Sequence, residues 1–519
     1  MLIHRGEAMN GIDLELFRHR FAAIPEEMGE QLTRTAFSPN IKERRDHSCA
    51  LFDADANMIA LAAHIPVHLG ATPLCVRAVL DALSLTNGQT AIVNDPYAGG
   101  THLPDITLVT AIDVKGARFY VTTRAHHADV GGITAGSLPL SRTIDDEGWR
   151  VGPTLLSDTV ARDLFAHSRT PHERRGDLAA QRAACELGAK RTRELVAQHG
   201  VGQVVEAARS LLDYTERRTR AALRSLPNGE VSIVDLLDDA NGVGPPIPIR
   251  LTLRVHDGEA VFDFRGCAPQ VSGPLNAVRS ITESAVLYGL LILSDGDLPH
   301  NSGAMRCARV LTRPATVVDA RYPAAVAAGN VETSQRLVDV ILQAFGRLVP
   351  GRFAASSCGS MNNVLVGAAT SDCTPFAYYE TLAGGHGGSP IGPGLSARHA
   401  HMTNTANTPV EALEHAFPFL VTRYAIRRGS GGAGVHRGGD GVEREMTFLS
   451  AAEVTLLGER RRFGAPGVPV GPAAVGETGE HALTRDGVTT ALAGKVTLRV
   501  RAGDVVTVRT PGGGGWSPP

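Results

Sequence analysis

The chain has 519 residues, including 57 Gly, 30 Pro and only 7 Cys, and its 51 Lys and Arg nearly balance 53 Asp and Glu, for a formal net charge of −2. Such a surface offers no global attraction for nucleic acid or anionic lipid, and the length corresponds to roughly three domains or subdomains with enough core to need no covalent staples. The cysteines are odd in number, scattered and without a C-x-x-C pair, which argues against a disulfide framework or a zinc knuckle. The longest apolar stretch, near residues 285–293, falls far short of the ~20 residues that span a membrane. The N-terminal MLIHRGEAMNGIDLELF has no apolar signal-peptide core, so a reduced, cytoplasmic protein is expected.

In chain order, Leu14, Leu16, Phe17, Phe21, Ile24, Met28 and Leu32 mostly follow one helical face and predict a helix over 11–35. Two short strands follow at 49–52 and 58–62, joined by the turn chemistry of 53–57 (DADAN), and then a helix over 73–83. A second hairpin pairs 106–114 with 118–123 around Lys115-Gly116, on β-branched and aromatic residues. Between about 172 and 226 the period becomes helical, with a break at His199-Gly200 and arginine-rich faces that read as solvated surface. Beyond Pro227-Asn228-Gly229 come strands at 249–255 and 260–264 and helices over 281–292 and 333–345. From about residue 416 the pattern is mainly β. No internal repeat is present. The expected fold class is α+β (mixed α/β), in four segments: an N-terminal α/β region (1–170) carrying a metal site, a helical segment (171–228), a central α/β region (229–415) and a β-rich C-terminal region (416–519).

The chemistry concentrates in 46–129. Asp46 and His47 precede the first strand of the first hairpin and His64 follows its second strand, while His102 and Asp105 (THLPD) precede the second hairpin and His126, His127 and Asp129 follow it. The start of one strand and the end of the next lie at the same open end of an antiparallel hairpin, so His102 and His127 are expected to approach each other despite their sequence separation. Two such hairpins side by side would converge imidazoles and carboxylates on one pocket. That donor set suits Zn, Mn or Fe(II). Any one of these histidines is most simply a strand-end hydrogen-bonding group. The set at two hairpin ends points instead to a metal or acid–base site.

Other motifs carry less. Asp95 in Asn94-Asp95-Pro96 reads as a loop cap, and Cys358 in SSCGSMNN as inert packing. The Gly-rich stretches 380–390 and 427–441 offer amides to an anion, but they lack the Lys-Ser/Thr of a P-loop and read as tight turns. The segment 401–411 (HMTNTANTPVE) is dense in polar groups suited to a substrate pocket or a subunit contact.

The motifs NIKERRDHSCALFD, HIPVHLGA, VNDPYAGGTHLPDIT, HHADVGG, AGNVETSQR, MTNTANTPVE, GSGGAGVHRGGDGVERE, GERRRF and TPGGGGW occur in this order over nearly the whole chain. Together they resemble the hydantoinase B/oxoprolinase family. The resemblance implies a B-type subunit that works with a hydantoinase A-type chain. The A-type chain binds ATP and activates a cyclic amide, and the B-type chain completes ring opening of a hydantoin, 5-oxoproline or lactam. Carried over by motif, it implies Asp46, His102, Asp105 and His127 as metal ligands, with His126 and Asp129 relaying protons. The same family resemblance extends to ketone carboxylase α subunits, so an ATP-dependent carboxylase subunit is the second expectation, and a non-catalytic scaffold the third.

Overall fold

The computed structural model describes residues 9–62, 65–294, 296, 298–368 and 375–518. His64 lies outside these residues. The fold is mixed α/β, and among the described residues no helix is long and apolar enough to cross a membrane. The functional region is built on a six-stranded sheet of β1 (His47–Phe52), β2 (Met58–Ala62), β3 (Thr90–Val93), β4 (Asp105–Val114), β5 (Ala117–His126) and β6 (Thr154–Leu155), in the order β2-β1-β5-β4-β3-β6. The β4–β5 hairpin turns on Lys115 (φ 49°) and Gly116 (φ 84°), the pair of positive φ values a two-residue turn requires.

β1 is buried throughout, and β4 and β5 over most of their length, because helices cover both faces of the sheet. On one face Leu51, Leu108 and Val121 share a core with Phe21 and Met28 of the Gly11–Thr35 helix and Leu178 and Ala184 of the Pro171–His199 helix. On the other, Phe52, Val109 and Tyr120 meet Val76 and Val79 of the His68–Ala82 helix and Leu287 and Leu291 of the Arg279–Leu293 helix. The Asn10 side chain caps the first helix by accepting from Asp13 N–H.

The helix expected from residue 73 starts at His68 and carries Pro73 inside it. The proline had marked a first turn that lies further upstream. The helical segment breaks where expected, between Pro171–His199 and Val201–Arg224, at Gly200 (φ 81°). Its arginines are not all solvated, since Arg174 is buried and paired with Asp177 at 3.0 Å.

A four-stranded sheet (Gly229–Leu237, Ile247–His256, Glu259–Asp263, Ala308–Leu311) supports the Ser334–Leu348 helix, which follows a single π-helical turn at Gly329–Thr333. The C-terminal part holds two further sheets whose inner faces share a core that includes Val366, Phe419, Met446 and Val454. The Gly-rich stretches are more than turns. They lie backbone against backbone, with Gly388 N–H donating to Gly514 O at 2.8 Å, Gly432 N–H to Gly513 O at 2.9 Å and Gly439 N–H to His386 O at 2.8 Å. A Cβ on Gly385 would collide with Gly439 O, and one on Gly513 with His386 O.

Buried charge ties the central helix to the C-terminal sheets. Arg460 Nη2 lies 2.8 Å from Asp235 and 3.0 Å from Asp339. Glu332 accepts from Met361 N–H (3.1 Å), Asn363 Nδ2 (2.7 Å) and Glu459 N–H (3.1 Å). Burial, reinforced by Glu459, pushes the Glu332 carboxyl up to about 8.

Two expectations follow from these contacts. Gly385→Ala should destabilise the protein by about 3 kcal/mol or more, because backbone cannot retreat as a side chain can. Gly202→Ala, in open space near a helix start, should change stability by less than about 1 kcal/mol. Equal denaturation midpoints for the two variants would contradict the backbone packing. Second, folded Glu332 holds a proton that the unfolded chain releases above its ordinary value of 4.5. Its contribution is therefore complete below that value and is lost as pH rises through about 8. Glu332→Gln should flatten the fall of the unfolding midpoint between pH 6 and pH 9, and parallel curves for variant and wild type would refute the assignment.

Candidate metal centre

The site forms where the two hairpins meet edge to edge. β4 and β5 pair Asp105 with His126, and β1 lies antiparallel to β5 with His47 opposite Ala125. Asp46, one residue earlier, accepts His126 N–H through its carbonyl at 3.0 Å. Asp105 N–H donates to His102 O at 3.1 Å, a turn that folds the THLPD loop back over the strand start.

Three donor atoms converge. His102 Nε2 lies 3.1 Å from Asp105 Oδ1 and 3.2 Å from His126 Nδ1, and His126 Nδ1 lies 3.3 Å from Asp105 Oδ1. All three residues are buried. His102 Nδ1 faces Ala327 O at 3.2 Å, so Nδ1 carries the proton and Nε2 turns its lone pair inward. Asp105 Oδ2 accepts from Thr101 Oγ1 and faces His68 Nε2 at 3.3 Å, while His68 Nδ1 meets Ser48 Oγ at 3.0 Å. Asp105 Oδ1 has no hydrogen-bond partner.

The residues fit a divalent cation. Bonds of ~2.0–2.2 Å in tetrahedral or octahedral geometry place ligand atoms ~3 Å apart, which matches the triangle. Two imidazole nitrogens and one carboxylate oxygen, the last with no proton donor, form an intermediate-to-hard donor set. Among the described residues this is the one group of at least three His, Cys, Asp or Glu whose ligand atoms lie within 4.8 Å of one another.

The electrostatics agree. Burial would depress His102, but Asp105 beside it outweighs that and raises it above the ordinary imidazole value. Burial alone would raise Asp105, yet His102 and His68 hold it well below the carboxylate range. His126 is lowered, chiefly by burial.

Around the triangle, Asn330 Nδ2 approaches His102 Nε2 at 3.1 Å and the Tyr379 ring stacks on His126 at 4.8 Å between centroids. Tyr379 is pinned from behind, its hydroxyl donating to Asn363 Oδ1 at 2.9 Å and the Arg44 guanidinium lying 4.7 Å over its ring.

The structure redistributes the residues expected from the sequence. His102 and Asp105 meet, and His126 rather than His127 joins them. Consecutive strand residues point to opposite faces, so His127 turns toward the Pro171–His199 helix, where Nε2 meets Gln181 Oε1 at 2.8 Å. Burial and Arg174 push His127 down to about 4. Asp129 has no oxygen to spare. Oδ1 accepts from Gly131 and Arg169 N–H, and Oδ2 accepts from Gly136 N–H and Arg169 Nη1 at 3.1 Å, so Asp129 organises its loop instead of relaying protons. Asp46 flanks the triangle, close enough for its charge to raise both His102 and His126, with Arg44 Nη2 3.8 Å from its carboxylate. His47 faces away, its Nε2 2.8 Å from Thr33 Oγ1.

Sequence reasoning missed His68, Asn330 and Tyr379. His68 and Asn330 stand in HIPVHLGA and AGNVETSQR, motifs that carried the resemblance without a chemical role. Tyr379 had no local signal at all.

Comparison with known proteins places this geometry. The chain is 38% identical to an uncharacterised protein of Methanocaldococcus jannaschii, over 98% of this chain and 91% of that one. It is also 38% identical to 5-oxoprolinase 1 of Arabidopsis thaliana, over 97% of this chain but only 42% of the plant protein. The crystal structure of the ATP-dependent caprolactamase from Pseudomonas jessenii superposes with a TM-score of 0.90 at 27% identity, covering 98% of this chain and 92% of that one. The sequence signature of one family runs from residue 10 to residue 519, and the chain belongs to the hydantoinase B/oxoprolinase family.

Proposed function

We propose that this chain is the B-type subunit of an ATP-dependent cyclic amidohydrolase, completing ring opening of a hydantoin, 5-oxoproline or lactam after an ATP-binding A-type partner has activated it. The observation that carries the reading is the convergence of His102 Nε2, Asp105 Oδ1 and His126 Nδ1 on one buried point. The names of the relatives, a 5-oxoprolinase and an ATP-dependent caprolactamase, support the reaction class. The coverage of only 42% of the plant enzyme supports a second chain for the remaining functions.

An unstrained amide resists hydrolysis because resonance stabilises its C–N bond. Phosphorylation of the amide oxygen by the partner removes that resonance and leaves an electrophilic carbon. A divalent cation (Zn, Mn or Fe) held by His102, Asp105 and His126 supplies Lewis acidity and a water of lowered pKa. The chain's own residues do the rest. Ala327 O fixes the His102 tautomer. Thr101 and His68 hold the second oxygen of Asp105, so Oδ1 is the atom left to bind. Tyr379 covers one face of His126 and excludes water there. Asp46, beside the triangle and free of the three-atom set, takes the proton released as water attacks.

Purified with its A-type partner, the His126→Ala and His127→Ala variants should separate cleanly. His126→Ala should lose bound metal and ATP-dependent ring opening by at least ~100-fold, as should His102→Ala. His127→Ala should keep its metal and lose stability instead. Metal retained in His126→Ala with turnover intact would refute the site, and bicarbonate-dependent consumption of a ketone would favour the carboxylase reading. Asp129→Asn should cost about 2 kcal/mol of stability without changing metal content, as measured by denaturation and elemental analysis.

A further inference from the structure

A second cleft, of about 360 Å³, adjoins the metal centre and has no part in the reading above. Its volume falls within the range of small-molecule sites. Two walls differ in character. Ile292, Leu342, Phe353 and Pro66 form an apolar side, and His386, His399 and His401 form an imidazole side. No Lys, Arg, Asp or Glu lines the cleft.

The imidazole side is built rather than incidental. His386 Nε2 donates to His399 O at 2.8 Å, which leaves its Nδ1 as an acceptor. His399 Nε2 and His401 Nε2 are buried without a hydrogen-bond partner. His401 adopts φ 54°, a left-handed conformation a non-glycine residue seldom takes, and its ring is held between Tyr288, edge-on at 5.9 Å, and Asp339 Oδ1, 3.3 Å from Nε2. Burial and Arg44 push His399 down to about 4, so it is a neutral imidazole offering one donor and one acceptor.

The cleft and the metal centre share their supports. Met402 O accepts Val67 N–H at 3.3 Å, next to His68, which touches Asp105. Ala400 O accepts from Gln335 Nε2 at 3.1 Å, on the same helical stretch as Asn330, which touches His102. A ring seated in the cleft lies one wall away from the three converging atoms.

We propose that this cleft is the binding site for the cyclic amide itself, and that it selects uncharged rings. The apolar wall takes the methylene edge, and the imidazoles pair with the amide N–H and C=O. A ring carrying a carboxylate would be desolvated there with no lining cation to meet it. The assignment rests on the amidohydrolase reading in taking the ligand to be the substrate.

The test uses the full chain without ATP, with ε-caprolactam as the neutral probe and 5-oxoproline as the anionic one, followed by ligand-observed NMR. Ala354→Trp, at the exposed mouth, and His386→Ala should each raise the Kd for ε-caprolactam at least tenfold, His102→Ala should leave it unchanged, and 5-oxoproline should bind at least tenfold more weakly. Circular dichroism checks that the variants are folded. Lactam binding lost in His102→Ala but kept in both cleft variants, tighter binding of 5-oxoproline, or no lactam binding to the wild type would each overturn the proposal. With the partner and ATP, absence of ring opening alongside cleft-dependent binding would sink only the amidohydrolase reading. Ring opening with an unchanged kcat/KM in Ala354→Trp would sink only the cleft.

Discussion

The pairing of β1 with β5 joins two hairpins that the sequence keeps apart and sets their open ends at the same edge. Without it, Asp46 would have no reason to lie beside His126. The register of that pairing is equally decisive. A slip of one residue would exchange the faces of every side chain on the strand and bring His127, not His126, to His102. What forbids the slip is burial on both faces, since Leu51 and Val121 belong to one apolar layer and Phe52 and Tyr120 to the other. The site is therefore held by hydrophobic packing well away from its polar atoms.

Packing of this kind explains what the sequence revealed and what it did not. Helix boundaries such as 11–35 and the break at Gly200 were legible because local period and glycine chemistry decide them. The hairpin ends were legible for the same reason, and they located His102, Asp105 and the His126-His127 pair. The choice within that pair is a matter of strand phase at a strand's last residue, which composition does not encode. Family resemblance carried the choice to the wrong neighbour. Tyr379 was beyond local reading because it arrives from a different sheet, aligned only by the pairing of Asn363 with Thr381. The Gly-rich stretches misled in another way, since glycine serves turns and close backbone contact equally well.

Burying His102, Asp105 and His126 costs solvation, and the surroundings offset that cost by fixing each group rather than neutralising it. Glu147 shows how far the support extends. It accepts from Val326 and Ala327 N–H, at 2.8 and 3.0 Å, and so holds the peptide whose carbonyl orients His102. Burial pushes Glu147 up to about 7, so this support is itself a titratable group within an otherwise apolar setting. Asp105 divides its two oxygens between Thr101 and His68 on one side and the converging point on the other, an asymmetry that leaves one lone pair directed at a cation.

These dependencies mean that the centre is a property of the whole fold rather than of the segment that supplies most of its donors. Asp105 and His126 come from the first sheet, Ala327 and Asn330 from the central region and Tyr379 from a C-terminal sheet. An isolated N-terminal fragment would contain His102, Asp105 and His126 but neither the carbonyl that sets the tautomer of one imidazole nor the ring that covers another. Cation binding and folding are coupled for that reason, because a preformed triangle exists only when the three regions have docked. The same docking carries residues 400–402 against the turn before His68, so the cleft and the donor triangle assemble in one step. Loss of either should therefore be traceable to a local side chain only when the shared supports, Gln335 and the Val67 peptide, remain in place.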